Sequence, residues 1–480
     1  MRNTLAIYSG LMPLLILGVA VVADENTQKP NIIIILADDM GYGDCGLYHP
    51  ESKIATPNMD QLSREGLLFT DAHAASGTCT PSRYGLLTGI NPVRTGVLNT
   101  LLRRGDPIIS EDEKTIASLL QNQGYVTCMV GKWHLGFEED KSGKKPALDL
   151  SKPLVGGPLD RGFDSFYGIA SSPGASPLCF IRGRNVVDLP TEKGTVQKVR
   201  GGEEPVAIQV MMSPGYVPEE VSPSFCREAV EFIRAHAASD IHKPLFLYYA
   251  SPIPHQPWVP TASFKGKSGV GDYGDFMMQL DDVVGQIRDV LKETGLDQNT
   301  LLMFTSDNGP GPWAVKAMEE AGHDSAGGLR GKKSDSWEGG HRVPFIATWP
   351  GRIPASSRSD AVINFTDVFA TLAELLEVDL AKSYPGSAAD SISFLPVLLD
   401  PAKPHPRPAM INRYAIRVGD WKLVAKHKPR DLDQIEASEF GLYNLADDIA
   451  EQNDLSDNET EKAKKLFAQF KTYMDHQKLK

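Results

Sequence analysis

"NIIIILADD", residues 31–39, is the stretch from which the fold can be read. Six apolar residues follow Asn31, four of them isoleucine. The run is too short for a core helix and rich in β-branched side chains, which makes it a strand buried on both faces. Strands buried on both faces belong to parallel sheets covered by helices. Three further runs have the same character: "YVTCMV" (125–130), "PLFLYYA" (244–250) and "TLLMFTS" (300–306). Helical patterns lie between them, among them "TIASLLQNQG", "FCREAVEFIRAHA" and "FMMQLDDVVGQIRDVLKETG". Strands alternating with helices predict an α/β fold with a large, mostly parallel central sheet and helices on both faces.

The residues just beyond each strand carry the chemistry. Asp38 and Asp39 come after the first, Lys132-Trp133-His134 after the second, "SPIPHQP" with His255 after the third, and Asp307-Asn308-Gly309 after the fourth. Open α/β sheets bind ligands outside the carboxyl ends of their strands, so these groups converge on one crevice. Each signal alone has a plainer explanation. Paired aspartates and Asp-Asn-Gly are ordinary turn sequences, and a single lysine or histidine near a strand end is usually structural. Together they fall into two sets. Asp38, Asp39, Asp307 and Asn308 are hard oxygen donors that suit Ca²⁺ or Mg²⁺ rather than zinc. Lys132, His134, His255 and Arg83 are cationic or protonatable, with no metal-like spacing. A crevice combining an oxygen-ligated cation with several N–H donors is built for a tetrahedral oxyanion.

"SGTCTPSRYGLLTG" (76–89) adds an unusual cysteine. A free thiol usually packs as a small hydrophobe, yet Cys79 stands among Ser76, Thr78, Thr80 and Ser82 at the start of a helical pattern. This places Cys79 in an exposed polar turn, with a helix N-terminus and Arg83 available to an anion.

The rest of the chain sets bounds. With 480 residues, 41% hydrophobic and 23% charged, a large core is feasible, and a net charge of -12 argues against a nucleic-acid partner. Arg2, the apolar "LMPLLILGVAVV" and the small residues before Asp24 predict a signal peptide over 1–23. An uncleaved anchor is the alternative, although the run is short of the roughly 20 residues of a bilayer span. The mature protein is then exported, periplasmic or secreted in a bacterium, with no stable membrane insertion. A large domain over 24–400 is followed by "PAKPHPRP" (401–408), a linker or domain edge, within a small C-terminal subdomain over 401–480. That subdomain has an antiparallel hairpin turning at Gly419-Asp420 and a final helix from about 459, whose apolar face carries Leu466, Phe467, Phe470, Tyr473 and Met474. Five cysteines make no disulfide scaffold. Apart from Cys79, the four at 45, 128, 179 and 226 allow three pairings, and Cys128 has the surroundings of a buried free thiol. Segments 139–160 and 183–224 have the composition of surface insertions.

At the level of motif, Cys79, Pro81, Ser82, Arg83, Leu86, Thr88 and Gly89 satisfy C-x-P-S-R-x-x-L-x-T-G in full. "LADDMGYGD", "GKWHLG", "SDNGP" and "LRGKKSDSWEGGHRVP" accompany it in order between residues 32 and 344, with "RVGDWKLV" and "GLYNLADDIAEQNDL" further on. The chain resembles the type I, formylglycine-dependent sulfatases of the arylsulfatase A-like group, in the alkaline-phosphatase-like superfamily. The resemblance implies that a maturation enzyme oxidises Cys79 to formylglycine, which hydrates to a geminal diol. It implies one Ca²⁺ held by Asp38, Asp39, Asp307, Asn308 and the modified residue 79. Arg83 then holds a diol oxygen, and Asp307 takes the proton of the attacking hydroxyl. Lys132, His255 and Lys333 neutralise the sulfate oxygens, His255 or Lys333 protonates the leaving alcohol, and His134 is the base for sulfate release. Lys332 stands where relatives usually carry a small residue, and counting back from Glu338 selects Lys333.

The implied substrate is an aryl or carbohydrate sulfate ester, a small molecule or a sulfated glycan. A phosphonate or phosphate ester hydrolase of the same superfamily is the enzymatic alternative. A non-catalytic sulfated-glycan-binding protein is the other, and it would be expected to have lost Cys79 or a metal ligand. Loops 139–224 and 310–328 are the expected source of selectivity, with His323, Arg182 and Arg184 as candidate sugar contacts.

Overall fold

A computed structural model describes residues 29–99, 105–143, 146–198, 206–429 and 435–475, so the predicted signal peptide lies outside the described residues. The four apolar runs form strands β1 (Asn31–Ala37), β2 (Val126–Lys132), β3 (Leu245–Ala250) and β4 (Thr300–Ser306) in a ten-stranded sheet. All four are parallel: β1 pairs with β3 on one side and β4 on the other, and β3 pairs with β2. Beyond β4 the strand Phe345–Thr348 runs antiparallel, so the sheet is mostly parallel.

The two-residue period of β1 divides its isoleucines between two cores. Ile32, Ile34 and Leu36 pack on the face covered by helices 79–88, 116–122 and 367–375. Ile33, Ile35 and Ala37 pack on the face covered by helices 221–237 and 272–294. Burying each isoleucine contributes about 1.5–3 kcal/mol relative to leaving it exposed. A continuous apolar run satisfies both faces at once, and helices cover both faces as the alternation predicts.

A separate four-stranded antiparallel sheet (410–412, 415–418, 421–425, 440–444) forms the C-terminal part. Its central hairpin closes over Gly419 and Asp420, with Val418 paired to Trp421. Gly419 has φ 57, the left-handed conformation that tight hairpin turns need. The helix Thr460–Asp475 buries Leu466 and Phe470 on this sheet, and Phe440 meets Phe467 and Phe470 at 5.3 and 5.4 Å.

Three readings gain detail. "PAKPHPRP", read as a linker or domain edge, is anchored: His405 and Arg407 both bond the buried carboxylate of Asp367. The 183–224 segment contains an antiparallel hairpin, Glu192–Lys198 paired with Val206–Met212, which buries Val196 and Val210. Cys128 is the buried free thiol its surroundings predict, and Cys45, Cys179 and Cys226, whose pairing the sequence leaves open, are buried and free as well. Among the described residues, no helix is long and apolar enough to cross a membrane.

The seam between the two sheets is ionic. Lys422 Nζ lies 2.9 Å from both Glu338 Oε1 and Glu451 Oε1, and Arg417 grips Asp71 at 2.7 and 2.8 Å. Removing one member of a buried ion network strands its partners' charge, at about 3–5 kcal/mol. Lys422→Met is therefore expected to destabilise the protein by that amount in denaturant titration. A loss under about 1 kcal/mol, the scale of an exposed pair, would show that the seam does not depend on this lysine.

Candidate active site

Helix α1 (Cys79–Thr88) starts at the carboxyl ends of β1 and β4 and is buried along its whole length. Such burial needs close approach: a Cβ on Gly85 would lie 2.4 Å from that of Ala75. The hydroxyls of the segment are satisfied internally. Ser82 Oγ accepts from Ser76 N at 3.1 Å and donates to Ser76 O at 2.8 Å, and Thr80 Oγ1 donates to His134 O. The polar sequence around Cys79 is thus a buried hydrogen-bonded network and not a solvated turn. Cys79 is the first residue of α1 and only 1% exposed, which corrects the expected exposed position.

Around it the strand ends converge. Ligand atoms of Asp38, Cys79 and Asp307 lie within 4.8 Å of one another. Lys132 Nζ contacts both oxygens of Asp38, at 2.9 and 2.8 Å. Arg83 donates through Nε to Asp307 Oδ2 at 2.9 Å and through Nη1 to the Lys132 carbonyl at 2.8 Å. Asn308 Nδ2 donates to Asp39 Oδ1 at 2.8 Å, and Lys333 donates to the same oxygen. His255 Nε2 is 3.9 Å from Asp39 Oδ2, and its Nδ1 donates to Gln256 O at 2.6 Å. Lys333, and not Lys332, is the lysine at Asp39. His134, 1% exposed, lies beside α1 through the Thr80 bond. Asp39 and His134 hold φ 73 and 60, a left-handed conformation that costs non-glycine residues of order 1–3 kcal/mol and clusters at functional sites.

The electrostatics are those of crowded carboxylates. Burial pushes Asp307 up to about 6, helped by the charge of Asp38. Burial would raise Asp38 too, but Lys132, His255 and Arg83 outweigh it and hold that carboxyl well below the usual range. Burial pulls His255 down to about 4 against the opposing pull of Asp38 and Asp39. Lys333 is held above its ordinary value: burial alone would lower it, and Asp39 reverses the sign. Two polar atoms stand out, since Asp39 Oδ2 and Asn308 Oδ1 are buried without a hydrogen-bond partner among the described residues. Both are hard oxygen donors beside Asp38 and Asp307, a set that fits a divalent cation.

The candidate sugar contacts are each engaged by a carboxylate. His323 is buried, with Nε2 3.0 Å from Asp44 Oδ1 and Nδ1 accepting from Lys53 N. Tyr273 donates to the same carboxylate at 2.5 Å, so this group clamps the loop after β1. Arg182 and Arg184 are engaged by Glu228 and Asp160. Trp313, for which the sequence offered no signal, packs edge-on to His255 with centroids 6.1 Å apart, and Lys333 Nζ lies 5.9 Å from its ring.

Comparison with known proteins bears on the same elements. The sulfatase family model matches residues 30–378. An N-acetylgalactosamine-6-O-sulfatase of Bacteroides thetaiotaomicron is 34% identical, over 92% of each chain. Human arylsulfatase A is also 34% identical, over 82% of this chain and 74% of its own. A solved Bacteroides thetaiotaomicron sulfatase from a locus for metabolism of multiple glycosaminoglycans superposes with TM-score 0.79 and 31% identity, covering 94% of this chain and all of that one. The family match takes in all four strand ends and α1, and on that ground the chain belongs to the sulfatases, enzymes that hydrolyse sulfate esters.

Proposed function

We propose that this enzyme removes sulfate from a carbohydrate, with residue 79 matured to formylglycine and one Ca²⁺ held by Asp38, Asp39, Asp307 and Asn308 with residue 79. One observation carries the proposal. A cysteine is buried among hard oxygen donors, two of which lack a partner, where a soft thiolate is the wrong ligand and an oxygen the right one. The carbohydrate assignment rests on the relatives named for N-acetylgalactosamine 6-sulfate and glycosaminoglycans.

When present, the matured residue supplies an oxygen nucleophile, and the cation supplies Lewis acidity. The chain's own residues do the rest. Arg83 fixes the Asp307 carboxylate, which takes the proton of the attacking hydroxyl. Lys132 sets Asp38. Lys333 and His255 flank Asp39, where both neutralise sulfate oxygens and one of them delivers a proton to the leaving oxygen. His134, beside α1, is the base for sulfate release. Because Cys79 is buried in the folded chain, the maturation enzyme must act before α1 packs. The signal segment would deliver the protein outside the cytoplasm.

Sulfate release from 4-nitrophenyl sulfate and from N-acetylgalactosamine 6-sulfate tests the proposal, using matured, calcium-loaded enzyme. Turnover of both is expected. Hydrolysis of a phosphonate ester with no sulfate released from either would overturn it.

The protonation of Asp307 gives a second expectation. Burial and the charge of Asp38 push its carboxyl up to about 6, and it must be ionised to ligate. Cation affinity is then flat from pH 7 upward and falls by up to about tenfold per unit below pH 6, with proton release on binding. Calorimetric Ca²⁺ titration at pH 5, 6 and 7 measures this. Equal affinity at pH 5 and 7 would remove Asp307 from the ligand set.

A further inference from the structure

We propose that Trp313 is a positioning residue that acts through His255, its indole packing against the imidazole so that Nε2 stays turned towards the reacting ester. The proposal rests on the carbohydrate sulfatase function above and adds a residue to its proton delivery.

Trp313 stands on a fixed platform. It is the second residue of the helix Pro312–Glu320, which begins three residues after Gly309. The turn between them is pinned on both sides. Gly309 N donates to Gly340 O at 3.0 Å, and Lys333 N donates to Pro310 O at 3.0 Å. A Cβ on Gly309 would lie 1.8 Å from Gly339 O, and one on Gly311 would lie 2.8 Å from Trp313 Nε1. The indole is thus folded back against its own turn. It is half-buried and packs on the core beneath helices 221–237 and 272–294.

The neighbours of the indole differ in how much they depend on it. Its centroid is 6.1 Å from that of His255 with the rings at 69°, an edge-to-face pair. Lys333 Nζ lies 5.9 Å from the same ring, at the outer limit of a cation–π contact of about 6 Å. Lys333 does not need this contact, because Asp39 already binds its ammonium. His255 does. Its Nδ1 bond to Gln256 O, at 2.6 Å, ties one nitrogen to the adjacent residue. Nε2 is 3.9 Å from Asp39 Oδ2, too far for a hydrogen bond. Packing must therefore stop the imidazole from tipping about its Nδ1 bond, and Trp313 is the aromatic ring against it among the described residues. Without that ring, Nε2 loses the alignment that proton transfer needs.

The test measures N-acetylgalactosamine 6-sulfate and 4-nitrophenyl sulfate with the matured, calcium-loaded full chain. Trp313→Leu, or Trp313→Met with its longer side chain, removes the ring. Each should lower kcat on the sugar ester about 3- to 10-fold, the range an aromatic pair supplies, with KM nearly unchanged. The cost on 4-nitrophenyl sulfate should be far smaller, since its leaving group needs little protonation. Trp313→Phe keeps an aromatic neighbour and should retain most of the sugar rate. In a His255→Ala background, Trp313→Leu should cost nothing further on the sugar ester, whereas in a Lys333→Ala background the full loss should remain. The role is overturned if both esters lose rate alike, or if Trp313→Phe falls as far as Trp313→Leu. A loss that persists without His255, or that appears in KM as a direct sugar contact would, also overturns it. Failure of the unsubstituted enzyme to release sulfate from either ester would instead bring down the sulfatase function on which the role depends.

Discussion

Cys79→Ser is expected to lower steady-state turnover of every sulfate ester by at least about 10³-fold, the scale on which removal of a catalytic nucleophile acts. The substitution is nearly isosteric, and the hydroxyl it brings is a hard donor compatible with Asp38, Asp307 and a cation. Binding should therefore survive. The loss is that of the second hydroxyl, which a hydrated aldehyde provides. A serine oxygen that accepts sulfate has no internal group to expel it, so the variant should release at most one equivalent of nitrophenol and then stop, leaving a sulfated peptide detectable by mass spectrometry. Stability should change little, because α1 is held by Gly85, by the Ser76–Ser82 bonds and by apolar packing of Tyr84, Leu86 and Leu87. Sustained turnover by the serine variant would refute the formylglycine proposal, as would an active wild-type enzyme whose residue 79 remains a thiol.

Much of the fold and of the site is legible in the sequence because the decisive signals are local. A run of isoleucines with no polar face can only be satisfied between two layers, and the aspartates beyond it must leave the sheet at its carboxyl edge. The strands at 31–37 and 300–306 match their predicted bounds, and their ends bring Asp38, Asp39, Asp307 and Asn308 together. Other features depend on tertiary partners. The hydroxyls around Cys79 look solvated in a one-dimensional reading, since nothing local says that they bond each other and the carbonyl of His134. His405 and Arg407 sit in a proline-rich stretch that resembles a linker, and only the distant Asp367 makes it an anchored seam. His323 reads as an accessible polar residue until Asp44, 279 positions away, claims it. The hairpin at 192–212 has polar alternation too weak for a strand assignment, because its single buried row is short. Trp313 gives no periodic signal at all, and its relation to His255 and Lys333 exists only in the folded chain.

His255→Ala is expected to cost about 10²–10⁴-fold on a sugar sulfate and far less on 4-nitrophenyl sulfate, whereas Lys333→Ala should slow both alike. A sugar alkoxide needs a proton to leave and nitrophenolate does not, so the gap between the two substrates isolates proton delivery from sulfate binding. The geometry divides the roles. Lys333 donates to Asp39, which keeps the ammonium charged but makes it a reluctant acid. An acid matched to the working pH is the more effective one. His255 has Nδ1 committed to Gln256 O, so any further proton sits on Nε2, the nitrogen on the Asp39 side of the ring. In the free protein, burial holds this group at about 4. It is mostly neutral at pH 7, and a bound sulfate ester, being an anion, must raise it. An acid is lost as pH rises, which fixes the sign of the pH dependence. For the sugar sulfate, kcat/KM should fall above the free-enzyme value of about 4, whereas kcat should fall only above a higher value set by the bound anion. For nitrophenyl sulfate this alkaline limb should be much weaker, and His255→Ala should abolish it for the sugar ester. A substrate gap that appears with Lys333→Ala and not with His255→Ala would exchange the two assignments, and equal losses on both substrates for both variants would reduce the pair to holding the sulfate.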